Sequence, residues 1–398
     1  MTQQDDLTAD RLTKPLIFLM SLAVGVIVAN IYYLQPLLHQ VKVDFAVGTV
    51  ATSALITLVQ VGYAAGLTFI VPLGDLLARR RLIVTIFVVA AAAMIAGSLV
   101  QSFVWFALLT VIVGLSSVGG QMLIPFAADL AKEGQRGRVV ARLMTGLLLG
   151  ILLSRTFSGI GAELFGWRGV YVTAAVLLIV MAAVLSRVLP NEAPRAHVPY
   201  RELVTGSFKL FGTYRELRRR CYFGAINFAA FNVLWASLAF KLSGPPFHYS
   251  NIEIGLFGLL GVGGVLAANL AGRQADRNGS HQVTVISALC FVVAFVLMWL
   301  GRHNVWLLAV GIFVLDLGEQ GMHITNQAII YTLAPDKRSQ LTSVYMVSFF
   351  VGGAVGSLAA GFTYAHHGWT GICVLGTIFG LLATGPALWW RPAVVSAI

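Results

Sequence analysis

Long apolar runs broken at short intervals by polar clusters dominate the chain. A run of about 20 residues spans the hydrocarbon core as a helix. A helix also satisfies its own backbone, which lipid demands. The pattern predicts helices near 16–38, 49–73, 82–100, 103–130, 139–162, 168–189, 220–243, 253–273, 282–301, 304–332, 341–365 and 368–390, twelve in all. The first run follows a polar, acidic stretch with Asp5, Asp6 and Asp10, and reads as a retained helix rather than a cleaved leader.

Composition agrees. Hydrophobic residues make up 58% of the 398 and charged residues 11%, against roughly 45–50% and about 25% in an average soluble domain. That balance excludes a disordered chain, a disulfide scaffold and most soluble enzymes. An all-α polytopic membrane protein remains. Cys221, Cys290 and Cys373 lie far apart in apolar sequence without a pairing or zinc spacing. They read as buried free thiols, and neither a metal nor a cofactor is expected.

The net charge of +11 follows the same pattern. Of 27 lysines and arginines, all but Lys42, Arg155, Arg168, Lys241 and Arg302 fall at one set of helix ends or in the tails and loops beside them. Positive charge marks the cytoplasmic side, so both termini are expected in the cytoplasm, as an even helix count also requires. Topology accounts for the basic balance, and nucleic-acid binding is not expected. The longest cytoplasmic segment opens with Pro190, Pro194 and Pro199. It divides the chain into an N-terminal six-helix bundle (1–189), a linker (190–219) and a C-terminal six-helix bundle (220–398).

The two halves echo each other. Gly166-Trp167-Arg168-Gly169 returns as Gly368-Trp369-Thr370-Gly371, 202 positions later. Asp75, ahead of Arg79-Arg80-Arg81, is echoed 201 positions later by Asp276-Arg277. Internal repeats of this kind place a substrate site near the bilayer midplane and work by rocking one half against the other.

With these features the chain resembles the major facilitator superfamily along essentially its whole length. Gly272-Arg273-Gln274-Ala275-Asp276-Arg277-Asn278-Gly279 is similar to that family's loop signature. The copy after the second helix departs from it, with Val71 for the first glycine and Leu76 for the arginine. Asn30-Ile31-Tyr32-Tyr33-Leu34-Gln35-Pro36 and Ser243-Gly244-Pro245-Pro246-Phe247 resemble the bacterial drug- and metabolite-exporter branch, of arabinose-efflux and purine-nucleoside-exporter type. The resemblance implies two pseudo-repeated six-helix bundles in an inner membrane. Helices one, four, seven and ten would line a central cavity. Two departures stand against a generic multidrug antiporter: Thr110 where that branch carries an arginine, and Ser154-Arg155 where it carries Gly-Pro.

Ionisable residues inside a span cost about 2.5–3.5 kcal/mol each on insertion scales and need a partner or water. Of the 16 acidic residues, Asp316 and Glu319 fall well inside a span. They open a stripe on one face of the tenth helix: Asp316, Glu319, Gln320, His323, Asn326 and Gln327. The stripe is expected to face a wet cavity, with a polar seam between helices as the alternative. Asp316 and Glu319 are the proton-carrier candidates, Asp316 being favoured because it resembles an acid of that branch. His323, an i,i+4 neighbour of Glu319, is a relay or a donor. Arg155 lies beside a small-residue stripe of Gly146, Gly150, Ser154 and Ser158, which lets another helix approach. At about 1.5 Å per residue it sits roughly 7 Å outward of its helix centre, and Asp316 about 4 Å outward of its own. An ion pair across the halves, an anionic-substrate contact and a fixed structural pair all remain open for it.

Further substrate-binding candidates are Asn30, Tyr33 and Gln35 on the first helix, Gln121 on the fourth, and Asn227, Asn232 and Trp235 on the seventh. Amides with aromatics suit a small organic solute. Gating candidates are Asp75, Arg79, Arg80, Asp129, Arg136, Arg138, Asp276 and Arg277. Asp75 is expected to cap a neighbouring helix or pair with Arg136 or Arg138, and Asp129 with Arg79 or Arg80. Gly255, Gly258, Gly261, Gly263 and Gly264 predict close packing or a hinge in the eighth helix. No phosphate-cradling motif is present, so ATP drive is not expected.

The expected function is a monomeric secondary transporter of a small organic solute, a proton-coupled exporter first. An importer of an organic anion with protons is the alternative. A polytopic metal protein or enzyme using Asp316, Glu319 and His323 ranks last, since three groups strung along one helix cannot close on one metal unaided.

Overall fold

A computed structural model describes residues 12–132, 134–192, 199–264, 279–334 and 337–390. These residues are helical almost throughout. Thr13 opens α1 (Lys14–Ala29), its hydroxyl accepting from the Leu16 amide at 3.3 Å, with proline in the first turn. The chain then unwinds at residues 30–33 and resumes as α2 (Leu34–Asp44). Pro36 explains the break. It has no N–H to return to the Tyr32 carbonyl, but sits without penalty in the first turn of a new helix. The Gln35 amide bonds to the Tyr32 carbonyl instead.

Next come α3 (Thr49–Phe69), α4 (Leu73–Leu76) and α5 (Arg79–Leu99). A second interrupted span follows, α6 (Phe103–Ser116) and α7 (Gly119–Leu130). The long α8 (Arg136–Val188) turns at Gly166, whose φ of 70° only glycine adopts freely. After it come α9 (Tyr200–Thr213), α10 (Arg215–Trp235), α11 (Leu238–Ser243) and α12 (Asn251–Leu256). The chain ends with α13 (Ser280–Leu300), α14 (Val305–Leu333) and α15 (Arg338–Trp389), which turns at Gly368 with φ 58°.

Nine helical stretches among the described residues are long and apolar enough to cross a membrane. Counting the two legs of α8 and of α15 separately, and adding the short apolar helix at Asn251–Gly264, gives the twelve that the apolar runs predict. Leu99, Trp105, Leu164, Phe165, Trp306 and Leu381 are each more than half exposed. Large apolar side chains on an outer surface mark a face that meets lipid or a partner. The cysteines are free; Cys221 and Cys373 are buried as expected, whereas Cys290 is half-buried.

The chain forms two compact units. The first takes Met1–Phe45, Leu58–Val204 and Asn251–Gly258; the second takes Ala46–Thr57, Thr205–Ser250 and Leu259–Ile398. In the first, the small-residue stripe of α8 does what its spacing predicts. A Cβ on Gly150 would lie 2.6 Å from the Gly25 Cα, and one on Gly25 2.7 Å from the Gly146 carbonyl oxygen. Only glycine lets α1 and α8 approach this closely.

The repeated Gly-Trp motif closes one end of each unit by similar means. After the turn at Gly166, the Trp167 indole donates to Asp44 at 3.1 Å, and Arg168 pairs with the same carboxylate. Phe45 and Phe106 pack on the indole ring. After the turn at Gly368, the Trp369 indole donates to the Met298 carbonyl at 3.1 Å. The second copy thus keeps the clasp with a backbone acceptor in place of the carboxylate.

Candidate functional site

In the first unit the candidates gather where α1 gives way to α2. Asn30, Tyr33 and Gln35 are buried there. Arg155 reaches them from α8 and is 3% exposed. Its Nε donates to Gln35 Oε1 at 2.7 Å, and its guanidinium lies 5.0 Å from the Tyr32 ring centroid. Ser158, one turn on, donates to the Tyr33 carbonyl at 2.7 Å, and the Tyr33 and Phe157 rings touch. The Tyr33 carbonyl at the helix break is therefore taken up by α8. Gln121 on α7, in the second interrupted span of the same unit, faces Tyr63 on α3.

The Arg155 stem rests on glycine. A Cβ on Gly258 would lie 2.6 Å from the Arg155 Cβ and 3.2 Å from its Cδ. One on Gly255 would lie 2.7 Å from the Arg155 carbonyl oxygen. Thr156 donates to the Gly255 carbonyl at 3.2 Å. Gly255 and Gly258 thus supply the close packing expected of them.

In the second unit α14 carries its polar stripe unbroken. Asp316 and Glu319 are each 4% exposed, and Asn326 is fully buried. Asn227 on α10 donates to the backbone carbonyl of Glu319 at 3.1 Å, so it grips the helix rather than the carboxylate. Asn232 donates to the Phe228 carbonyl in its own helix, and the Trp235 ring lies against Phe231. Gln320 packs beside Gly264. His323 turns both ring nitrogens to partners other than Glu319. Nδ1 is 3.0 Å from the Tyr345 hydroxyl, and Nε2 is 3.2 Å from Gln327 Nε2. With the Gln327 amide donating, the ring carries its proton on Nδ1 and donates to Tyr345. Among the described residues no group of three or more His, Cys, Asp or Glu side chains is placed to hold a metal ion.

The gating candidates divide. Arg79 pairs with Asp75 at 3.0 Å and with Asp129 at 2.6 Å, and its Nε donates to the Gly74 carbonyl. The Asp129 expectation holds. Asp75 meets Arg79 rather than Arg136 or Arg138, because the i,i+4 spacing on either side of the α4–α5 turn brings Arg79 to it first. Arg136 and Arg138 are exposed. Arg80 donates to the Ser186 carbonyl. Asp276 and Arg277 lie outside the described residues.

Sequence reasoning missed Arg220, Tyr345 and Tyr32. Arg220 falls in a basic run that topology already explains. Its i,i+4 spacing from Glu216 is the available signal. Tyr345 has none beyond being a polar aromatic in an apolar span.

Apolar spans with buried ionisable side chains, and helices interrupted where polar candidates collect, define the class: a multi-pass membrane transport protein. Comparison with known proteins gives the family. The Major Facilitator Superfamily pattern matches residues 18–243 and again 221–397, and the chain belongs to that superfamily. It is 45% identical over 380 residues to the Escherichia coli O157:H7 protein named "Uncharacterized transporter YgaY", covering 96% of each chain. It is 33% identical to "Probable transporter SCO4007" of Streptomyces coelicolor, over 92% of this chain and 85% of that one. Among solved structures, a bacterial homolog of the human lysosomal transporter Spinster, inward-facing and occupied, matches with TM-score 0.76 at 13% identity, over 96% of this chain and all of the other. The nucleoside transporter NupG matches with TM-score 0.73 at 13% identity, over 94% of this chain and 98% of that one. At that identity both show the fold. The chain is thus a membrane transporter of the major facilitator type, with a small-molecule substrate.

Proposed function

We propose that this transporter exports a small organic solute across the inner membrane in exchange for protons, by alternating access. It works as a monomer with both termini in the cytoplasm, residues 1–189 and 220–398 forming the halves that 190–219 joins. The observation that carries the reading is the stripe on α14. Two buried carboxylates and a half-buried histidine are held on one face of a membrane span. Such groups are costly in lipid and mark ion or proton pathways. Asp316 is the favoured carrier, with Glu319 and His323 as partners. Gln320, Asn326 and Gln327, with Asn227, Asn232 and Trp235, supply solute contacts on the same unit. Asn30, Tyr33, Gln35, Gln121 and Arg155 supply them on the other. Asp75, Arg79, Arg80, Asp129, Arg136, Arg138, Asp276 and Arg277 serve the cytoplasmic gate. The basic residues crowding one set of helix ends support the orientation.

A second reading rests on Arg155. A buried guanidinium bonded to Gln35 and set over Tyr32 suits an anionic or ring-bearing solute. It favours an importer that takes up an organic anion with protons.

One experiment separates the readings. Proteoliposomes of checked orientation, loaded with a pH-sensitive dye, receive drugs, nucleosides and organic acids outside, with wild type beside Asp316→Asn. Proton movement opposite to solute, lost in Asp316→Asn, is the expected result. Movement in the same direction selects the importer. Transport that ignores the pH gradient and survives Asp316→Asn removes proton coupling through this acid.

A further inference from the structure

Arg220 sits in the run Arg215–Arg220, where basic residues mark the cytoplasmic side, yet it is 2% exposed. Three helices enclose it. Glu216, one turn back on α10, accepts from its Nε at 2.7 Å and from its Nη2 at 2.6 Å. Nη1 donates to Thr284 Oγ1 on α13 at 3.4 Å and to Asn326 Oδ1 on α14 at 3.5 Å. Asn326 is a member of the α14 stripe. The Tyr345 hydroxyl on α15 meets His323 of the same stripe at 3.0 Å. The stripe is therefore joined, side chain to side chain, to a permanent cation at its inner end. Other titratable groups nearby are Arg219, which shares the Glu216 carboxylate at 3.3 Å, and the Cys221 thiol.

A guanidinium does not give up its proton in a protein. It cannot relay protons, and its charge repels them. Arginines set in pores exclude protons and cations for this reason. We propose that Arg220, held by Glu216, is the charge barrier that stops protons on Asp316, Glu319 and His323 from leaking to the cytoplasm, so that proton movement requires solute. The proposal rests on the proton-coupled reading above.

The test uses the full chain in proteoliposomes with an internal pH-sensitive dye, a pH step and no added solute. Wild type holds the gradient. The double variant Glu216→Gln/Arg220→Gln removes both charges and leaves neither unpaired, which protects folding. Asn326 lies seven residues, about 10 Å, along α14 from Glu319. One unit charge at that range, at an effective dielectric near 20, is worth about tenfold in proton entry, so Arg220→Gln, which removes one net positive charge, leaks about tenfold faster; the double variant, which removes a cation and an anion together, leaks by less than that but faster than wild type. Adding Asp316→Asn and Glu319→Gln abolishes the leak, an outcome that general loosening of the fold does not produce. Asn326→Asp, nearly isosteric, sets a carboxylate against Nη1 and leaks as well, which keeps the test open if the double variant does not fold. A folded variant, judged by its melting temperature, that stays proton-tight overturns the barrier. So does a leak that persists without Asp316 and Glu319. Wild type that moves no protons with solute overturns the coupled reading instead.

Discussion

Gly258→Ala adds one methyl group to the surface on which Arg155 lies. The new Cβ would sit 2.6 Å from the Arg155 Cβ, 3.2 Å from its Cδ and 3.4 Å from its Cγ. The first distance is well inside van der Waals contact, so the stem must move. Its Nε is fixed on Gln35 Oε1 at 2.7 Å, and a shift of a few tenths of an ångström at the stem is magnified along the side chain. A hydrogen bond to a charged group contributes about 1.5–3 kcal/mol. If the positioned guanidinium takes part in transport, losing that bond lowers the rate about 10- to 150-fold, taking about 1.4 kcal/mol per decade. The assay is the initial rate of solute movement in proteoliposomes, well below saturation, for wild type, Gly258→Ala, Gln35→Leu and the double variant. Both single changes act on one bond, so their effects should not add. Additive losses, or a Gly258→Ala protein that transports at the wild-type rate, would refute the reasoning. A melting temperature held within a few degrees separates loss of positioning from loss of fold.

Two further outcomes follow from the packing and the ion pairs. Gly150→Val places a branched side chain against the Gly25 backbone and should destabilise by about 1–3 kcal/mol; Gly137→Ala, with nothing within 4 Å of its new Cβ, should be neutral or mildly stabilising, and thermal melts in detergent compare them. Arg79→Gln removes contacts to both Asp75 and Asp129 and should slow transport, while Arg136→Gln and Arg138→Gln, on exposed side chains, should leave stability within about 0.5 kcal/mol; equal effects from all three would sink the assignment of the ion pairs to Arg79.

The spans are legible in the sequence because each is a long apolar run, a signal that belongs to the segment itself. The turns at Gly166 and Gly368 are legible as a repeated motif, though its purpose, a tryptophan clasp, needs the acceptors on Asp44 and Met298 to be seen. The stripe on α14 is legible because helical periodicity alone puts its members on one face. Partner choice is not. Helical spacing points His323 to Glu319, its neighbour along the helix, but α15 brings Tyr345 to one ring nitrogen. Arg220 is hidden twice over. Its charge has a sufficient explanation in topology, and its burial depends on Thr284 and Asn326, 64 and 106 positions away. Contacts of that range leave no mark in local sequence.

The repeat also shows where the two halves have ceased to be copies. Moving 202 positions carries Arg155 onto Ser357, and Ser117 onto Glu319. In the first unit Arg155 lies over Gly258. In the second, Ser357 meets Thr57, their hydroxyl oxygens 2.9 Å apart, and Thr57 stands 201 positions before Gly258. The same crossing is thus built twice. One version leaves room for an arginine stem against a glycine; the other fills that space with two small hydroxyl side chains. Ser117 marks the interruption between α6 and α7, whereas Glu319 sits in an unbroken α14. Where one copy opens the backbone, the other keeps it closed and adds a carboxylate. Here the cation belongs to one repeat and the acids to the other, and each departs from symmetry at a position where its own unit has made room for the charge.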